Sequence, residues 1–327
     1  MNIAFAGLRH DHIYTLAELV RSSADFHPVG WWEENKEARK TAENFFRTSP
    51  YKRFEDLLND TSVDIIAVGD CYGARGKLII AALNAGKHVI ADKPVCTSLE
   101  ELNKIENLLQ QKHLKLSCML DLRYDPGLRH LSELISNGLL GEIKSGAFTG
   151  QHPLNWGVRP AWYFENGKHG GTFNDIAIHG IDALTFLTGC VWQKTLYARQ
   201  WNAFATAAPA FKDSAQCVGE LSNGACFMAD VSYAAPAPVG FHTPAYWRFT
   251  LWGTQGFAEC RLGNPDITVM TTGDIKPRVI TAPPVYGDYL NDLKLEIEGG
   301  NPRFTTQSVL ESSRATLKLQ QFADQKG

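Results

Sequence analysis

The chain lacks any stretch approaching the roughly 18 to 20 apolar residues that span a bilayer. Its first apolar run, Ile3-Ala4-Phe5-Ala6-Gly7, is only about five residues long and follows no basic segment, so it does not read as a secretory leader. A cytoplasmic protein with no membrane partner is the expectation. Positive charge is not in excess either. Thirty-two Lys and Arg stand against 35 Asp and Glu, a formal net charge of −3. Nothing is left over to neutralise a phosphate backbone, so nucleic acid is not expected as a partner, while a small phosphorylated ligand remains open. The seven cysteines (Cys71, Cys96, Cys118, Cys190, Cys217, Cys226 and Cys260) include no Cys-x-x-Cys pair. That spacing offers no zinc ligand set, and no metal is expected. Reduced, mostly buried thiols are the reading.

What is present is an ordinary globular composition, 44% hydrophobic and 20% charged. A chain of 327 residues is too long for one small core and reads as two domains. The first third alternates apolar strands (2–6, 27–32, 63–69, 88–91, 115–120) with helices (13–22, 36–46, 77–85, 99–111). That alternation signals βαβ units and a parallel sheet covered on both faces. After about residue 122 the pattern changes. A helix over 127–137 is followed by period-two segments at 215–221, 225–233 and 247–252, with Asn223-Gly224 a hairpin signal. A last helix covers 307–324. The expected fold class is α/β: an N-terminal Rossmann doubly wound parallel sheet over 1–122, then an α+β domain over 123–327 with a large, mostly antiparallel sheet.

The turn after the first strand reads Gly7-Leu8-Arg9-His10-Asp11-His12. A dinucleotide turn normally reads Gly-x-Gly-x-x-Gly, because backbone must pass close to a pyrophosphate. Only the first glycine is present; Arg9 and His12 stand at the other two positions. Glu33, at the end of the second strand, is placed to accept both ribose hydroxyls of NAD, or else simply opens the following helix. Arg9 could instead counter a phosphate, which keeps NADP open. The strand over 88–91 ends in Asp92-Lys93-Pro94, at the carboxyl edge where open α/β sheets bind ligands. A lysine held there reaches nicotinamide and substrate, unless it is merely a surface lysine.

In the second half, Gly170-Gly171 precede Asp175 and His179, four residues apart and so on one face of a helix. The pair suits proton exchange, with Asp175 orienting His179; a capped helix with a core histidine, or a metal pair, are the alternatives. Metal chemistry through His10 and His12 lacks a recognisable ligand set. The stretch 151–164 reads as a loop carrying Trp156, Arg159 and Tyr163. These could stack on or bond a polyhydroxylated or anionic ligand, or could equally be packing and ion-pair residues.

These residues resemble the Gfo/Idh/MocA family, the glucose–fructose oxidoreductase and inositol dehydrogenase group, along essentially the whole chain. Asp92-Lys93-Pro94 is similar to the family's Glu-Lys-Pro. Gly171 to Asp182 is similar to its Gly-Gly-x-x-x-Asp-x-Gly-x-His-x-x-Asp, with Ala177 for the middle glycine. Arg123-Tyr124-Asp125-Pro126, Gly138 to Ile143 and Trp162-Tyr163 match further landmarks. Gly69-Asp70-Cys71-Tyr72-Gly73 stands where the family usually has Thr-Pro-Asn. The resemblance implies a nicotinamide-dependent oxidoreductase moving a hydride between NAD(P) and a sugar, polyol or related hydroxy compound. Lys93, Asp175 and His179 map onto the catalytic set. Gly7, Arg9, His10, Glu33, Asp70, Tyr72, Asp92, Lys93 and Pro94 fall at the cofactor, and Arg123, Trp156, Arg159 and Tyr163 join the catalytic three around substrate. A homodimer or homotetramer is implied. A non-redox NAD(P)-binding regulator, or a lyase or glycosidase using transient oxidation by retained NAD, are the alternatives on this fold.

Overall fold

A computed structural model describes residues 1–325. The chain divides into two compact units. The first holds Met1–Met119 with Gly167–Gly170 and Asp288–Ser313. The second holds Leu120–Asn166, Gly171–Gly287 and the chain from Arg314 onward.

In the first unit the chain runs β1 (Asn2–Ala6), α1 (His12–Ser22), β2 (His27–Trp32), α2 (Lys36–Phe45), α3 (Phe54–Leu58), β3 (Ile65–Val68), α4 (Tyr72–Asn84), β4 (His88–Ala91), α5 (Leu99–Lys112) and β5 (Leu116–Cys118). The five strands form a parallel sheet in the order β2-β1-β3-β4-β5. Ile3 to Ala6 and Ile65 to Val68 are fully buried, as unbroken apolar strands covered on both faces should be. Helix starts follow their caps. Asn35 accepts from Glu37 N and Ala38 N at the head of α2, and Ser98 accepts from Glu101 N at the head of α5.

One boundary differs from the sequence reading. Helix α4 begins at Tyr72, five residues before the expected start at 77. Gly73 and Gly76 depress helix propensity there, but packing overrides it. A Cβ on Gly76 would stand 2.4 Å from Glu101 Cδ, so only glycine lets α5 approach so closely. The early start carries Tyr72 and Arg75 into the helix.

The second unit opens with α6 (Pro126–Ser136), capped by Asp125 with Pro126 in the first turn. Then come β6 (Ile143–Pro153), α7 (Ile178–Thr188), β7 (Trp192–Trp201), β8 (Ser214–Leu221), β9 (Cys226–Ala235), β10 (Arg248–Gly253), β11 (Gly256–Arg261), β12 (Asp266–Thr271) and β13 (Arg278–Thr281). The eight strands form one sheet in the order β13-β12-β11-β10-β6-β9-β8-β7. Only β6 and β9 pair in parallel. One face buries Phe148, Phe227, Phe249 and Leu251 with Leu128, Leu131, Ile181 and Leu184 of α6 and α7. The other face exposes Met228 and Trp252. Residues 151–153, read above as the start of a loop, are the end of β6. They pair with β9 because the alternation continues through Gln151 to Pro153. After β13 the chain forms α8 (Tyr289–Ile297) in the first unit and α9 (Thr306–Asp324). Among the described residues, no helix is long and apolar enough to cross a membrane.

Candidate functional site

The strand order reverses at β1. The chain steps from β1 outward to β2, then crosses back to β3 on the other side of β1. Ligands of open α/β sheets bind at such a switch point, outside the carboxyl ends of the strands. The turn after β1 and the Gly69-Asp70 segment after β3 therefore flank the crevice. Gly7 adopts a φ of +70°, and a Cβ there would stand 2.5 Å from Asp70 Cβ. Conformation and close approach both require glycine at this place.

Three amides of this turn are committed to protein acceptors. Gly7 N–H donates to Trp32 O at 3.1 Å, His10 N–H to Gly69 O at 3.1 Å, and Leu8 N–H to Glu33 Oε2. Glu33 is buried, and its Oε1 accepts from Asn35 N–H at 2.6 Å. Burial pushes its pKa up, against those two backbone donors. Its carboxylate thus braces the turn and the head of α2. Arg9 reaches across to Asp70, donating from Nε to Oδ1 and from Nη2 to Oδ2 at 2.9 Å. Its Nη2 also lies 3.8 Å from Glu34 Oε1. Asp70 Oδ1 accepts from Cys71 N–H at 2.6 Å as well.

Behind this turn lies a buried polar network. Asp92, just past β4, has no exposure. Its Oδ2 meets His10 Nδ1 and accepts from Arg75 Nη2 at 2.7 Å; its Oδ1 meets His12 Nδ1 at 3.2 Å. Tyr72 Oη lies 3.2 Å from His10 Nε2. Burial pushes His10 down to about 3, so the ring is neutral. A neutral ring fits donation from Nδ1 to Asp92 and acceptance at Nε2 from Tyr72. Burial would raise Asp92, but Arg75, His10 and His12 hold it well below the usual carboxylate range. Arg75 also donates to the carbonyls of Asp70, at 2.7 Å, of Pro94, at 3.1 Å, and of Lys93. One fully buried guanidinium thereby pins the segments after β3 and β4. The sequence reading missed Arg75, whose partners Asp92, Lys93 and Pro94 lie 17 to 19 residues further along the chain.

Lys93 is buried at this edge, its Nζ 5.8 Å from the centroid of the Tyr72 ring, and the Lys93–Pro94 peptide is cis. His10, His12 and Asp92 each offer a donor atom within 4.8 Å of the others, a grouping invisible in sequence because Asp92 lies 80 residues on. Only Asp92 is anionic among them, and Arg75 balances it.

In the second unit, Asp175 and His179 do not share a regular α-helix, contrary to expectation. Asp175 lies in a π-helical turn over Phe173–Ala177, and His179 in the first turn of α7. The turn follows Gly170 and Gly171, with φ of +80° and +97°, and such wide turns re-aim side chains. Asp175 Oδ2 accepts from Tyr233 Oη of β9. Burial, then Asp175, pushes the Tyr233 phenol well above its ordinary range. Tyr233 sits in an alternating strand and reads as core, so sequence reasoning passed over it. The Arg159 guanidinium lies 4.6 Å from the Tyr163 ring centroid and 5.0 Å from that of Tyr233. Its Nε and Nη2 donate to the carbonyls of Leu154 and Pro153, both at 2.9 Å. The His179 ring lies 5.3 Å from that of Trp247, tilted by 59°. Trp156 is half exposed and lies 4.7 Å from Phe164. Arg123, expected near substrate, forms a buried two-point pair with Asp182 at 2.7 and 2.6 Å. That pair joins the segment before α6 to α7.

Comparison with known proteins agrees with this geometry. Residues 1–120 match the model of the oxidoreductase family with NAD-binding Rossmann fold, and 128–259 match the Gfo/Idh/MocA C-terminal domain. Oxidoreductase YrbE of Bacillus subtilis is 26% identical over 232 residues, 69% of this chain and 63% of that one. Levoglucosan dehydrogenase of Pseudarthrobacter phenanthrenivorans is 26% identical over 48% of this chain and 41% of its own. The matches thus span less than two thirds of these relatives. Among solved structures, one from Erwinia carotovora atroseptica superposes with a TM-score of 0.86 at 22% identity, covering 98% of each chain. A levoglucosan dehydrogenase in complex with NADH and levoglucosan gives 0.79 at 19% identity, covering 100% of this chain and 98% of that one. The chain belongs to the Gfo/Idh/MocA family of oxidoreductases.

Proposed function

We propose that this protein is an NAD-dependent dehydrogenase that oxidises a hydroxyl of a sugar or polyol, or reduces the matching carbonyl. The observation that carries the reading is Lys93. It is a buried lysine held at the carboxyl edge of the Rossmann sheet by Arg75, whose guanidinium binds the carbonyls on both sides of the Lys93–Pro94 bond. A surface lysine needs no such brace. The crevice for a dinucleotide lies at the switch point beside Gly7, whose positive φ and missing Cβ admit Asp70. NAD, bound there, supplies a nicotinamide C4 that accepts or returns a hydride.

The chain's own residues do the rest. Lys93 steadies negative charge as it develops on the substrate oxygen. His179 receives the hydroxyl proton, and Asp175, held by Tyr233, orients the imidazole or a neighbouring hydroxyl. Tyr163, Arg159 and Trp156 give the second unit aromatic and cationic surface suited to a polyhydroxylated ligand. Overall, one alcohol and NAD⁺ yield one carbonyl, NADH and a proton. The first unit is assigned to cofactor and the second to substrate and assembly. The alternating face that exposes Met228 and Trp252 supports a homodimer or homotetramer, and the composition supports a cytoplasmic setting.

A non-redox regulator is the second reading. It is favoured by one observation, the commitment of the Gly7, Leu8 and His10 amides to protein acceptors. Native mass spectrometry for retained NAD, followed by nicotinamide absorbance across a panel of sugars and polyols, separates the two. Turnover on any of the panel supports the dehydrogenase. Nucleotide binding with no turnover on the whole panel supports the regulator.

A further inference from the structure

We propose that Arg9 takes over from the missing glycine-turn amides as the diphosphate ligand of the dinucleotide, exchanging Asp70 for a phosphate oxygen when the cofactor binds. The inference rests on the NAD-binding reading above and adds the group that holds the diphosphate.

Three observations carry it. The first is place. Arg9 leaves the turn after β1 and pairs with Asp70 after β3, so its guanidinium bridges the switch point that a dinucleotide must cross. Its other acidic neighbour, Glu34 at 3.8 Å, follows β2. The cation thus lies between the ends of all three strands that flank the diphosphate path.

The second is supply of donors. A glycine-rich turn binds pyrophosphate through backbone N–H groups. Here Gly7, Leu8 and His10 donate theirs to Trp32 O, Glu33 Oε2 and Gly69 O. A planar guanidinium offers paired donors that match phosphate as well as carboxylate. Arg9 stands at the position of the second fingerprint glycine.

The third is charge. Glu33 and Asp70 are both buried beside this turn. A diphosphate entering there meets two carboxylates, and repulsion at short range in a partly desolvated crevice is strong. Arg9 is the cation already paired within that group. Its side chain is 13% exposed, so part of the guanidinium-bearing chain reaches the crevice wall. Asp70 keeps a donor when Arg9 leaves, since Cys71 N–H bonds its Oδ1 at 2.6 Å.

The test is titration calorimetry of the full chain with NADH, ADP-ribose and adenosine. Arg9→Ala is expected to weaken NADH and ADP-ribose by about ten-fold or more, the loss of one charge-assisted contact, with adenosine unchanged. Asp70→Asn, which keeps shape and removes the competing charge, is expected to tighten NADH a few-fold. Arg9→Gln, with thermal unfolding of each variant, serves if Arg9→Ala folds poorly. Arg9→Ala binding NADH as well as or better than wild type overturns the proposal, because Arg9 is then an obstruction. An equal loss for adenosine overturns it, because the diphosphate is not what Arg9 reads. Weaker NADH binding by Asp70→Asn overturns the exchange. A wild-type chain that binds none of the three probes overturns the NAD reading itself, a distinct result.

Discussion

Arg75 Nη2 donates to Asp92 Oδ2 at 2.7 Å, and neither side chain is exposed. A buried pair of this kind adds little net stability over an apolar pair but is costly to break, because the survivor is an uncompensated buried charge. Arg75→Met should therefore destabilise the fold by about 3–5 kcal/mol in urea unfolding, and Arg75→Met with Asp92→Leu should recover part of that. A single variant within experimental error of wild type would show that the pair is not the brace described.

His10 makes stability depend on pH in a defined direction. Its folded pKa is lowered to about 3 by burial, so the unfolded chain binds the proton more tightly. The contribution of the neutral ring is complete above the unfolded pKa of about 6.5. It is lost as pH falls from there toward 3, with a slope of at most about 1.4 kcal/mol per pH unit. Unfolding free energies at pH 7, 6, 5 and 4 for wild type and His10→Asn give the test. The difference between the two should shrink on acidification; a constant difference contradicts a neutral buried His10.

Tyr233 is a positioning residue for Asp175. Removing its hydroxyl takes away a hydrogen bond that fixes the carboxylate. In Tyr233→Phe, turnover should fall about ten-fold while thermal stability stays close to wild type. A loss of turnover matched by a loss of stability would assign Tyr233 to packing alone.

Arg123 separates structure from substrate binding. Its two-point pair with Asp182 is buried at both ends. Arg123→Met should lower unfolding free energy by about 3–5 kcal/mol and leave KM for the best panel substrate within about two-fold. Normal stability with a raised KM would make Arg123 a substrate ligand instead.

The sheets were legible because their signals are periodic. Unbroken apolar runs at Ile3–Ala6 and Ile65–Val68 marked buried parallel strands, and Asn223-Gly224 marked the β8–β9 hairpin. The site was legible only in part. Asp92-Lys93-Pro94 and the Gly170–His179 segment are local strings, so they could be read. Arg75, Tyr233 and Asp182 act through partners 17 to 59 residues away, and nothing local distinguishes them from core or helix positions. Glu33 shows a limit of spacing: its carboxylate accepts from Leu8 N–H and Asn35 N–H, which its distance from Gly7 cannot report. The start of α4 was misplaced because propensity at Gly73 and Gly76 yields to packing against Glu101.

Lys93 is proposed to serve the chemistry of an NAD-dependent dehydrogenase. The most direct measurement pairs NADH affinity with turnover for wild type and Lys93→Ala on whichever panel substrate the wild type oxidises. NADH affinity should stay within a few-fold of wild type, and turnover should fall by about 10²-fold or more. Undiminished turnover in Lys93→Ala would contradict this role.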